Sequence, residues 1–188
     1  YMDGSLHKIN YAMGSCEFTL DKNNIPIIKA SFTGLYQPAT SAELPVVDFS
    51  AYINPVPVGA LTTPVFQLYG IDCRMEKLEI KDGADIKYRN VVGGEYIMQT
   101  DRQVSGSVVI ESPQITTTNW FEKIVENNES GTLYLKHGTT AGHIIEINAP
   151  CVQLSIPKYG DSDGVVTLEM DISFIPVSGN DELTIKYT

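Results

Sequence analysis

From Val165 to Ile175 the chain alternates strictly. Val166, Leu168, Met170, Ile172 and Phe174 fall on one side of an extended backbone, and Thr167, Glu169, Asp171 and Ser173 on the other. A period of two sustained over nine residues predicts a long β-strand with a dry face and a wet face. The wet side carries acids and hydroxyls and no base. Shorter alternating runs recur along the chain, punctuated by Gly, Pro, Asn and Asp, which is the pattern of an all-β fold. Cys16–Leu20 and Ile28–Tyr36 flank the turn residues Asp21-Lys22-Asn23-Asn24 and predict a hairpin. Further strands are expected at Val65–Leu68, Cys73–Lys81, Ile86–Val92, Tyr96–Thr100, Val104–Ile110, Thr132–His137, His143–Asn148, Cys151–Ile156 and Asp181–Tyr187. Asp82-Gly83 and Gly93-Gly94 are the expected tight turns.

Two segments break the period of two. Asn119 followed by Glu122 forms a capping-box pattern, and Trp120, Phe121, Ile124 and Val125 make an apolar stripe at helical spacing. One short α-helix over about 119–127 follows, flanking the sheets. Residues 38–64 contain Pro38, Pro45, Pro55, Pro57 and Pro64 among many apolar residues. Proline cannot donate to a ladder, so a central strand is excluded. The segment reads either as a loop folded over its own core or as an arm that packs on a neighbouring subunit. In the second reading Phe49, Tyr52, Ile53, Val56, Val58 and Leu61 make the contact. The fold expected is mainly β: an antiparallel β-sandwich or barrel of two packed sheets, with one flanking helix and a long Pro-rich loop, as one domain over residues 1–188.

Composition narrows the function. The chain has 188 residues and a net charge of −10, from 13 bases and 23 acids. The charge is uneven: −3 over residues 1–110 and −7 over 111–188. Tight binding to nucleic acid needs clustered Lys and Arg, and an anionic membrane surface disfavours such a chain. No run approaches the ~20 apolar residues of a transmembrane helix. No signal peptide is visible at the start, and a first residue Tyr1 suggests a fragment or processed product whose amino-terminal portion is truncated. Cys16, Cys73 and Cys151 are odd in number and widely spaced, so buried reduced thiols are expected, in keeping with a reducing compartment during folding.

Chemistry-bearing motifs are sparse. His137 and His143 flank one expected hairpin without a third ligand nearby, and two polar strand ends outweigh a metal site. Asp161-Ser162-Asp163-Gly164 lacks calcium-loop spacing and reads as a turn. No nucleophile elbow, P-loop or dinucleotide fingerprint occurs. The expectation is a non-enzyme with no catalytic residues, no metal and no cofactor.

Several motifs together resemble a known family. Gly131-Thr-Leu-Tyr-Leu, the Gly-rich hairpin after it, Ile144-Ile-Glu-Ile-Asn-Ala-Pro-Cys-Val-Gln-Leu, Ser162-Asp-Gly-Val-Val-Thr-Leu-Glu-Met-Asp-Ile and Ser178-Gly-Asn-Asp-Glu-Leu-Thr-Ile resemble the C-terminal half of tail tube proteins of long-tailed bacteriophages and prophages. Thr100-Asp-Arg-Gln-Val-Ser-Gly-Ser-Val is similar to the same family. The match covers residues 95–188 well and 14–94 loosely. The resemblance implies a structural virion protein that forms hexameric rings stacked into a hollow tube. Its partners would be other copies of itself and other tail proteins, with DNA passing through on ejection without specific binding. It also implies a long loop that reaches the neighbouring ring, and a location in the virion tail, reached from the bacterial cytoplasm during assembly. A related contractile-injection tube would look alike. Under this reading Thr167, Glu169, Asp171 and Ser173 line the channel, where carboxylates repel phosphate. An ordinary solvated sheet face explains the same pattern equally well. The alternative from another class is a non-catalytic carbohydrate-binding or adhesin-type β-sandwich module.

Overall fold

The computed structural model describes residues 4–188 and is mainly β; the expectations for Tyr1-Met2-Asp3 lie outside the described residues. The strands are β1 (Ser5–Leu6), β2 (Ile9–Asp21), β3 (Ile27–Tyr36), β4 (Thr40–Ser41), β5 (Val65–Leu68), β6 (Ile71–Asp72), β7 (Met75–Lys81), β8 (Ala84–Val91), β9 (Gly94–Arg102), β10 (Ser105–Glu111), β11 (Gly131–His137), β12 (Ile145–Leu154), β13 (Lys158–Ser162), β14 (Val165–Phe174) and β15 (Thr184–Tyr187). All strand pairings are antiparallel. The main path runs β3-β2-β7-β10-β14-β12-β11-β5-β6, with β13 added to β14 and β15 to β12.

The path doubles back at β12, and this makes two layers from one continuous ladder. The first half of β12 pairs with β15, and Val152–Leu154 pair with β14. Between them the register against β11 slips, with Val152 opposite Gly131 but Ala149 opposite Leu133. Pro150 sits in this bulge. The two strands expected on either side of Pro150 are therefore one strand. A bulge is where proline's missing donor is tolerated and where a strand bends to change partners.

The core lies between the layers. Leu78, Ile80, Val108, Ile110, Leu168, Met170 and Ile172 face Leu68, Leu133, Leu135, Ile147, Ala149 and Val152, and all are essentially inaccessible. The dry side of β14 holds from Leu168 to Phe174 and fails at Val166, which is 52% exposed. Val166 lies beyond Leu168, the last core residue of β14 at that end, where β14 pairs with β13 through the two-residue turn Asp163-Gly164. Both turn residues have positive φ (53° and 82°), as a hairpin of this length requires.

Gly106 in β10 stands close against the backbone of β7. A Cβ there would run into the carbonyl oxygen of Glu79 on β7. Backbone cannot yield as a side-chain tip can, so Gly106→Ala is expected to cost about 2–3 kcal/mol, read as a lowered urea midpoint at unchanged slope.

The helix is shorter and wider than expected. It covers residues 120–126, and Glu122–Glu126 form a π turn closed by Asn127 N–H donating to the Glu122 carbonyl at 2.9 Å. Half of the capping box forms: Asn119 Oδ1 accepts from the Glu122 N–H at 3.2 Å, while the Glu122 carboxylate accepts from the Asn119 side-chain Nδ2 at 3.3 Å and not from its backbone N–H. Trp120 and Ile124 are buried, Phe121 packs on Tyr159, and Val125 points to solvent.

Candidate assembly surface

Two ribbons leave the sandwich at the same end. Only Glu17–Asp21 of β2 pair with β7, so the β2–β3 ribbon from Ile9 to Cys16 and from Ala30 to Tyr36 runs on past the layers. The β8–β9 hairpin runs beside it. Asp82-Gly83, expected as a tight turn folding one strand back on the next, is instead a junction. β7 does not pair with β8, and β8 pairs with β9 alone. Asp82 holds the junction: its carboxylate accepts from the N–H of Cys16 at 2.8 Å and of Ala84 at 3.1 Å. Both ribbons carry apolar side chains into solvent, among them Tyr11 (78% exposed), Phe32 (65%), Tyr36 (78%) and Val92 at the hairpin tip.

The Pro-rich segment is a third projection. Residues 43–57 are all exposed, including Phe49, Tyr52, Ile53 and Val56. Over residues 43–57 no side chain is buried against the sandwich. Its tip is locally built: Asp48 accepts from the Ser50 N–H at 2.8 Å, Tyr52 N–H donates to the Phe49 carbonyl at 3.0 Å, and the two rings stand 5.4 Å apart. Those Ser50 bonds hold the Asp48 carboxyl below its ordinary range.

Val58 departs from the expectation for this arm. It is 4% exposed and belongs to the core, so it anchors the arm and is not available to a neighbour. Its N–H donates to the Asn24 carbonyl and its carbonyl accepts from the Asn23 N–H, both at 2.9 Å, tying the arm's base to the β2–β3 turn. Leu61, just past the anchor, is exposed.

The described surface measures 12072 Å². A compact monomer of 20.7 kDa exposes about 8,900 Å². The excess of roughly 3,000 Å² equals several times the ~800 Å² that one partner contributes to a standard interface. The three projections, with their exposed apolar side chains, contribute to it.

The wet face of β14 takes its electrostatics from its neighbours. Glu169, Asp171 and Ser173 are exposed. Thr167 is a correction: at 2% exposure it cannot line a channel. It lies between Glu111 and Gly160 in the ladder, and a Cβ at Gly160 would come 2.7 Å from its hydroxyl. Reading rows across the sheet, Lys29-Glu17-Lys81-Ser105-Ser173 form one and Asp21-Lys77-Val109-Glu169-Lys158 another. Between them runs Thr19-Glu79-Ser107-Asp171. These rows hold five carboxylates and four ammonium groups, a sum of −1. Lys77 reaches Glu79 at 2.7 Å and is held above its ordinary value, chiefly by that hydrogen bond, with a smaller contribution from Glu169. The face is a charge ladder, not an acidic wall.

The remaining candidates for chemistry do not converge. His137 is buried and its Nδ1 lies 2.8 Å from Thr63 Oγ1, while among the described residues no cluster of three metal-ligating side chains occurs. The three thiols are unpaired and half-buried, less enclosed than expected. Burial pushes the Cys73 thiol up to about 11, far from a reactive thiolate. Among the described residues no helix is long and apolar enough to cross a membrane. In comparisons with known proteins, the chain matches no family model and no curated sequence.

Proposed function

We propose that this chain is a structural subunit that assembles with copies of itself into stacked rings, the tail tube of a long-tailed phage or prophage, with DNA passing through the channel. One observation carries the assembly part: a well-packed sandwich bears three projections whose apolar side chains its own chain leaves uncovered, with a surface excess of about a third over a compact monomer. The motifs of residues 95–188 carry the choice of tail tube over other assemblies. β3 adds a means of joining: it pairs only with β2, so its outer edge is open over ten residues, and open edges add strands from a neighbour. The subunit works without catalysis, through the shape of its contacts.

Glu169, Asp171 and Ser173 are the proposed channel-facing residues of β14, with Lys77 and Lys158 tempering their charge. Replacing both acids by lysine (Glu169→Lys with Asp171→Lys) changes the rows described above from −1 to +3. Assembled tubes of this variant are expected to retain duplex DNA in a salt-dependent manner and to slow ejection. Unchanged DNA retention and ejection would place this face away from the channel. Assembly itself is checked by electron microscopy of the purified chain, where rings or tubes are expected.

A further inference from the structure

We propose that His137 is a proton-operated latch on the base of the 38–64 arm, holding the base in place as a neutral imidazole and releasing it when protonated. The inference concerns how the arm is held and does not depend on what the arm docks against. His137 ends β11 and is 5% exposed. Its Nδ1 faces the Thr63 hydroxyl at 2.8 Å, an arrangement in which Thr63 donates and the neutral ring accepts. The next N–H, of Gly138, donates to the Thr62 carbonyl at 2.7 Å. Together with the Val58 anchor, these contacts are the arm base's attachment to the sandwich.

A cation at this position meets the Val56 carbonyl but no charge of opposite sign in the groove. The adjoining groove, about 330 Å³, is lined by Ile25, Pro26, Ile53, Val56, His143 and Ile145 among others, and no carboxylate lines it. From the elements around His137, His143 is the titratable group of the β11–β12 loop. Tyr187 of β15 stands opposite Ile145. Lys136 and Glu146 pair with each other at 3.8 Å, one residue back along β11 and one on along β12. β5 carries no charged residue, and the arm's base, residues 55–64, carries none either. Burial pushes the His137 imidazole below its ordinary value of 6.5, with the Val56 carbonyl opposing. For a histidine lowered in the folded state the sign is fixed. Its contribution is fully present above about 6.5, where both states are neutral, and is lost as pH falls below that value toward the folded one. Protonation also fills the lone pair that Thr63 uses, so the Thr63 hydroxyl must turn from donor to acceptor.

The test is amide hydrogen exchange on the intact chain, kept monomeric by dilution, between about pH 7.5 and about pH 5, corrected for intrinsic rates. Protection at Val58, Thr63 and Gly138 is expected to fall severalfold across this range. Protection at Leu78 and Ile172 in the sandwich is expected to stay constant. In His137→Gln, which keeps a polar partner for Thr63 and cannot titrate, protection at the arm's base should be independent of pH. Constant protection in the unmodified chain, or an equal fall in the variant, would overturn the latch. The ring titration of His137 by NMR gives an independent reading should the variant fold poorly: a midpoint below 6.5 supports the latch, and one at or above it refutes the latch.

Discussion

Trp120→Ala is expected to destabilise the chain by about 3–5 kcal/mol, a large part of the roughly 5–15 kcal/mol that holds a domain of this size. Trp120 is the only tryptophan and, at the first residue of the short helix, is 1% exposed. Its ring meets Tyr69 edge-on, with centroids 5.8 Å apart. Tyr69 in turn ties three segments together. Its hydroxyl donates to the Glu129 carbonyl at 3.0 Å and accepts from the Leu154 N–H at 3.3 Å, and its ring lies against Gly131, where a Cβ would come within 2.5 Å. Removing the indole leaves a cavity beside this hub that the surrounding strands cannot close. Trp120→Phe is expected to cost much less. The indole N–H is buried without an acceptor, and replacing it by carbon removes a desolvation penalty of about 1–3 kcal/mol while most of the apolar contact stays. Guanidinium unfolding followed by circular dichroism separates the two variants. Equal losses for alanine and phenylalanine would show that the N–H is satisfied in solution.

The second large effect is expected on assembly and not on folding. Phe49 and Tyr52 are 66% and 77% exposed and contact each other at the arm's tip. Replacing both with serine should change monomer stability by no more than about 0.5 kcal/mol, as for other surface sites. In an interface, truncating a central aromatic costs about 2–4 kcal/mol, so losing two should weaken each subunit contact by roughly a thousandfold or more. The chain should then keep its unfolding midpoint and lose its rings and tubes, read by sedimentation velocity and electron microscopy. The same substitution at Val58 would be a misleading probe, because Val58 is in the core and its loss would unfold the arm's base.

Much of the sandwich was legible because its elements obey a single period. The alternation of β14, the hairpin turn at Asp21–Asn24, the strand at Val65–Leu68 and the Asn119–Glu122 cap are local, and local physics decides them. What was hidden depends on partners distant in sequence. Pro150 reads as a strand breaker until β11 is seen to leave a bulge opposite it. Asp82-Gly83 reads as a hairpin turn, yet the β8 and β9 strands beyond it pair with each other and carry the ribbon outward. Thr167 follows the wet side by period and is nonetheless buried in the row of Glu111 and Gly160. The acids of β14 looked unopposed because their lysines, Lys77 and Lys158, come from β7 and β13. The short strands β1, β4 and β6 hold two residues each, too few for any period to show, and the five-residue β13, Lys158–Ser162, lacks an apolar alternation. Of the arm, its apolar character was legible from composition. Which residues anchor it and which project required the packing of Val58 against the sandwich.

The central claim is that the three projections await other copies of this chain. Electron microscopy of the purified chain across a concentration series, with sedimentation velocity on the same samples, tests it most directly. Closed rings or stacked tubes with a central channel, and β3 of one subunit beside its neighbour, are the predicted result. A single monomeric species at every concentration, sedimenting as compactly as a protein whose arms fold back on its own sandwich, would contradict it.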